Sequence, residues 1–128
     1  MKLEYVANGS PDCPLIRLYD FDPAEARQFL ASVTTLASGM AERIEVHNLP
    51  FVESLGGCRL SLVRRSWDQA MLRMPRPSEF ECGFTAGTWN NVAGLVTPFA
   101  EGASGFQWLA RVPGEVALLL SASATGQW

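Results

Sequence analysis

Histidine is almost absent from this chain. His47 is the only one in 128 residues, and just three cysteines accompany it, at positions 13, 58 and 82. Any Ser-His-Asp or Cys-His site must therefore use His47, and there is no G-x-S-x-G elbow to supply a serine partner. Three cysteines at irregular spacing do not make a secreted disulfide framework, and no C-x₂-C or H-x₃-H pair seeds a zinc site. Long hydrophobic runs are missing as well. The longest, Val116–Leu120, is far too short to span a bilayer, and no apolar stretch follows Lys2 as a signal peptide would require. Clustered positive charge is also lacking: ten Lys and Arg stand against thirteen Asp and Glu, for a net charge of −3. The densest basic pair is Arg64–Arg65, so nucleic acid is not an expected partner. Together these absences point to a cytoplasmic chain with free thiols, no membrane association and no resident cofactor or metal.

What is present is core. Apolar residues make up 48% of the chain and charged residues 18%, a globular composition at the size of one domain. Residues 1–128 are read as a single α+β domain, with 1–14, rich in Gly and Pro, as a loose arm or edge element. The stretch Leu15–Phe21 alternates apolar and polar residues and predicts a strand. Asp22-Pro23-Ala24-Glu25 has the form of a capping box with proline at the first helical position. Ala26, Phe29, Leu30, Val33, Leu36 and Ala37 then recur at helical spacing, and Gly39 sits where a helix ends.

Further strands are predicted in Arg43–Leu49, Cys58–Arg65, Ala70–Met74 and Glu79–Thr85. A second helix is predicted from Thr88, with Trp89, Val92, Ala93, Val96 and Phe99 on one face and Pro98 near its end. Strands over 106–111 and 116–123 follow, joined by a hairpin turn at Pro113-Gly114. Each half contains a strand–helix–strand–strand run without any residue-level repeat. Short connections favour antiparallel pairing, and amphipathic helices need a sheet to cover. The expected architecture is a two-layer α+β sandwich, with a mainly antiparallel sheet and both helices packed on one face.

The stretch from Val46 to Leu60 bears on chemistry. Alternation puts Ile44 and Val46 towards the core and turns Arg43, Glu45 and His47 outwards, whereas Cys58 shares the core face with Leu60 and Leu62. A nucleophile and its base must come within about 3 Å, which opposite sheet faces forbid. Neither catalytic nor metal-binding residues are therefore assigned. Gly56-Gly57 precedes no helix and is read as a turn, not a phosphate loop.

The solvent-facing side of the sheet mixes both signs, through Arg43, Glu45, His47, Arg59, Arg65, Glu79 and Glu81. A solvated face with cross-strand ion pairs is the plain reading, and a recognition surface the functional one. The sequence thus leads to a non-catalytic protein-interaction domain, a homodimer through the exposed sheet face or an edge strand. The alternative is a small-molecule-binding protein or small enzyme with a pocket between the second helix and the 101–105 loop.

Overall fold

The computed structural model describes residues 1–111 and 115–128; the expected turn at Pro113-Gly114 lies outside the described residues. Among the described residues, nine strands and two helices follow one another. They are β1 (Lys2–Val6), β2 (Leu15–Tyr19), α1 (Pro23–Ser38), β3 (Arg43–Glu45), β4 (Glu53–Ser54) and β5 (Arg59–Arg64). There follow β6 (Ala70–Arg73), β7 (Glu79–Phe84), α2 (Ala86–Ala100), β8 (Phe106–Ala110) and β9 (Ala117–Ser121). A 3-10 turn occupies Val46–Asn48.

The fold is α+β, but the strands divide into two mixed sheets. One has five strands in the order β4-β1-β2-β9-β8, the other four in the order β3-β5-β7-β6. Four pairings are antiparallel (β1/β2, β3/β5, β6/β7, β8/β9) and three are parallel (β1/β4, β2/β9, β5/β7). The single sheet expected from short connections is thus two, and its mainly antiparallel pairing is borne out only in part. The reason is topological. Helix α1 leads from β2 in one sheet to β3 in the other, and α2 leads from β7 back to β8. Each central parallel pair therefore joins strands from opposite halves of the chain, Leu15–Tyr19 with Ala117–Ser121 and Arg59–Arg64 with Glu79–Phe84. No local connection length reports such a pairing.

The two halves now match element by element. In each, a strand pairs antiparallel with the next, a helix follows, and two further strands pair antiparallel: β1-β2-α1-β3-β5 and β6-β7-α2-β8-β9. The two-residue β4 is the added piece.

Helix α1 begins as its sequence dictates. Asp22 accepts the Glu25 N–H, the Glu25 carboxylate accepts the Asp22 N–H, and Gly39 closes the helix in the left-handed region at φ 82°. Helix α2 starts at Ala86, two residues earlier than expected, because the Thr85 hydroxyl accepts the Thr88 N–H and supplies the cap. Arg27 of α1 donates to the Ala100 carbonyl, closing the far end of α2. The two helices pack on each other, and their apolar stripes share one core with Ile16, Leu18, Leu118 and Leu120 of the first sheet and Leu60, Leu62, Phe80 and Cys82 of the second.

Residues 2–6 are not a loose arm. They form the interior strand β1, with Leu3 fully buried, between β4 and β2. Leu3 and Tyr5 alternate with Lys2 and Glu4, a half-buried strand pattern that Gly9 and Pro11 downstream obscured.

Candidate functional site

The face of each sheet turned away from the common core carries one charged side chain at its centre, and the chain covers each differently. On the five-stranded sheet this residue is Arg17. It pairs with Glu4 on the neighbouring strand and donates to the carbonyls of Thr125 and Gly126, both at 3.1 Å. Gly126 is at φ 72°, and a Cβ there would lie 2.7 Å from Arg17 Nη1. Trp128 Nε1 donates to Asp12 at 3.1 Å, and Ser121 Oγ donates to the Gln127 carbonyl at 2.6 Å. The segment following β9 thus crosses this face, on which Leu15, Tyr19 and Leu119 are buried.

On the four-stranded sheet the central residue is Glu81, only 8% exposed. One carboxylate oxygen accepts from Arg65 Nη2 at 2.9 Å and Gln69 Nε2 at 3.0 Å, the other from Arg43 Nη1 at 3.3 Å. A second Arg43 nitrogen donates to Ser61 Oγ at 2.9 Å. Burial works to raise the Glu81 pKa, but the Gln69 amide and the Arg65 and Arg43 charges outweigh it and hold the carboxyl below its ordinary value. Arg65 and Gln69 come from the segment following β5, the counterpart of β9. In both halves the chain leaving the equivalent strand folds over the outer face. One half offers carbonyls to an arginine, the other donors to a glutamate.

The seven residues named from alternation do not all share this face. Arg43, Arg65 and Glu81 are brought together, with Glu81 at the bottom and the arginines over it. Glu45 stands at the rim, 3.7 Å from Arg43 and accepting from Asn48 Nδ2 at 2.8 Å. Arg59 and Glu79 are cross-strand neighbours, Arg59 exposed and Glu79 half-buried.

His47 is a correction. The strand stops at Glu45, and the 3-10 turn carries the imidazole to the backbone of Leu60, whose N–H donates to Nδ1 at 3.1 Å. Nδ1 also lies 3.2 Å from the Leu60 carbonyl, so the ring takes over backbone that a longer β3 would have paired. The buried atoms His47 Nε2, Arg65 Nε and Glu79 Oε2 have no hydrogen-bond partner among the described residues.

Trp67, in the segment between β5 and β6, also belongs to this surface. It is 57% exposed, with the Arg65 guanidinium 5.9 Å from its ring centre. An open hollow of about 440 Å³ lies beside it, lined by Glu42, Arg64, Arg65, Ser66 and Trp67. The sequence signal was a tryptophan in a polar turn, "RRSWDQ", where core periodicity gives it no place.

Chemistry elsewhere is sparse. Cys58 and Cys82 are buried free thiols; burial pushes Cys58 up to about 12 and Cys82 further, so neither offers a thiolate near neutrality. Among the described residues no three His, Cys, Asp or Glu side chains converge as metal ligands, and no helix is long and apolar enough to cross a membrane. Next to the 101–105 loop are two shallow hollows that share Ser104 and Ala122. The smaller, about 260 Å³, reaches Phe21 and Phe99; the larger, about 490 Å³, reaches Phe106 and Trp128. Neither is lined by a titratable side chain. Compared with known proteins, the chain matches no family model, no curated protein and no solved structure.

Proposed function

We propose that this chain is a non-catalytic, cytoplasmic protein-interaction domain that self-associates through the outer face of its four-stranded sheet. The observation that carries this reading is Trp67, a large aromatic left 57% exposed beside a pre-ordered array of ion pairs. Tryptophan and arginine are the residues that most often anchor protein contacts, and fixing Arg43 and Arg65 on Glu81 lowers the ordering cost of binding. The charges favour a second copy as the partner. Arg43, Arg59 and Arg65 are matched by Glu45, Glu79 and Glu81, and a face carrying both signs can complement itself about a twofold axis. Three free cysteines suit a reducing compartment.

Arg59 tests the charge argument because it is exposed and takes part in no ion pair among the described residues. Arg59→Glu weakens self-association at least tenfold in sedimentation equilibrium, with an unchanged far-ultraviolet circular dichroism spectrum. Undiminished association by the folded variant contradicts the reading.

A second reading has one observation in its favour: of the two hollows beside the 101–105 loop, the smaller reaches Phe99 of α2. Their lining suits a small apolar ligand bound without chemistry. Saturable enhancement of anilinonaphthalene sulfonate fluorescence, lost in Ser104→Trp, supports it; identical titrations of the two proteins dismiss it.

A further inference from the structure

Two sheets present four edges, and three of them are shut by recognisable means. Strand β3 is three residues long, carries Arg43 and Glu45, and ends in the 3-10 turn that places His47 on Leu60. Strand β6 is covered: the Glu115 N–H donates to the Met71 carbonyl, and the Glu115 carboxylate accepts the Arg73 N–H at 3.2 Å. Strand β4 has only two residues, one of them Glu53. Short length, charge and cover are the usual protections of a sheet edge against pairing with another chain.

Strand β8 has none of the three at its leading end. It is five residues long, its sequence Phe-Gln-Trp-Leu-Ala holds no charge and no proline, and β9 is its only strand partner among the described residues. Phe106 is 46% exposed and packs edge-on against Trp108, with ring centres 6.4 Å apart. A register shift between Trp108 and Ala110 confines the regular, open part to Phe106–Trp108. Beyond the β8/β9 ladder, the one hydrogen bond to this stretch among the described residues comes from Gln107's own side chain, which donates to the Trp108 carbonyl at 3.1 Å.

We infer that the β8 edge is a second interface, at which Phe106–Trp108 of one copy pairs antiparallel with Phe106–Trp108 of another. The charge pattern of the segment selects this partner and this direction. From 101 to 111 it reads acidic, neutral, cationic: Glu101, the cap of α2, at one end, Arg111, which pairs with Asp12 and stacks 4.3 Å from the Trp108 ring centre, at the other, and no charge between. Antiparallel pairing about a twofold axis brings the Glu101 end of each copy towards the Arg111 end of the other. A parallel arrangement would set like charges side by side. The rings of Phe106 and Trp108 then meet their counterparts across the new ladder, the arrangement cross-strand aromatic pairs favour. The five-stranded sheets of the two copies join into one. This interface stands independently of the one centred on Trp67, and the two together make an assembly of four chains or more.

Sedimentation equilibrium of four proteins tests it: wild type, Trp67→Ala, Phe106→Lys and the double variant. Phe106→Lys puts a charge on the open edge at a half-exposed position, and Phe106→Tyr controls for loss of the ring. The expected result is that each single variant, Trp67→Ala and Phe106→Lys, leaves dimers, that the double variant is monomeric, and that Phe106→Tyr matches wild type. In the Trp67→Ala dimer, the amides of residues 106–108 exchange more slowly as protein concentration rises. The β8 interface is overturned if Phe106→Lys sediments like wild type, or if Trp67→Ala is already monomeric. Loss of the Trp67 interface has a different signature: Trp67→Ala sediments like wild type while Phe106→Lys does not.

Discussion

Arg65 Cγ lies 2.9 Å from the point a Cβ on Gly83 would occupy, so the arginine reaches Glu81 only because position 83 has no side chain. Gln69 crowds the same point, with two of its carbons 3.2 Å away. The bare backbone of β7 is thus the floor on which the donors to Glu81 rest. Gly83→Ala must push Arg65 and Gln69 off the carboxylate, and we expect a loss of about 1–3 kcal/mol, the usual cost of overpacking. Urea denaturation measures it. Unchanged stability would show that the Arg65 stem yields without releasing the glutamate.

The Glu81 cluster also sets an acid sensitivity. Its folded pKa lies below the ordinary value, so the stabilisation is complete above the unfolded carboxylate pKa and is lost as pH falls through the folded one. Wild type therefore loses part of its stability below about pH 4, in addition to what other carboxylates contribute. In Glu81→Gln that part of the slope disappears. At pH 7 the variant is less stable by about 1–3 kcal/mol, since two arginines lose their partner while remaining partly in water. Denaturant midpoints from pH 3 to 7 decide; parallel curves for the two proteins count against the cluster.

His47 is structural in this account. Replacing the ring with Phe leaves the Leu60 N–H without its acceptor at a half-buried site, which costs about 1–3 kcal/mol. Guanidinium melts of His47→Phe and wild type make the comparison. A variant as stable as wild type would mean that water serves Leu60 equally well.

The thiols separate by burial. Cys13 is half-exposed, whereas Cys58 and Cys82 are buried and their pKa values raised. In the folded protein at pH 8, iodoacetamide labels Cys13 first, and the other two only after denaturant is added. Peptide mass mapping reads the order directly. Rapid labelling of Cys58 would put its strand outside the core.

Much of this was legible in the residues. The capping box at Asp22–Glu25, the apolar stripe of α1 and the alternation of β2, β5 and β7 are local signals, and local structure follows them. The two-sheet topology was not, because β2/β9 unites segments far apart in sequence and β5/β7 pairs past the intervening β6. Alternation assigned Arg43, Arg65 and Glu81 to one face but said nothing of depth; the overlay of Arg65 and Gln69 on Glu81 arises from the turn at 65–69 and from Gly83. His47 was misplaced because apolar-polar alternation runs on through Val46 after the strand itself has stopped. In the sequence Trp67 stands only as an aromatic in a polar turn; its place beside Arg65 and the open edge at Phe106 belong to the folded chain.

The most direct test of the central claim is the mass of the purified protein in solution, wild type against Trp67→Ala, by sedimentation equilibrium over a range of concentrations. Self-association through the face that bears Trp67 predicts an assembly whose mass falls at least twofold on the substitution while its circular dichroism spectrum is preserved. A wild-type protein that remains monomeric at every concentration, or an assembly that keeps its full mass without Trp67, contradicts it.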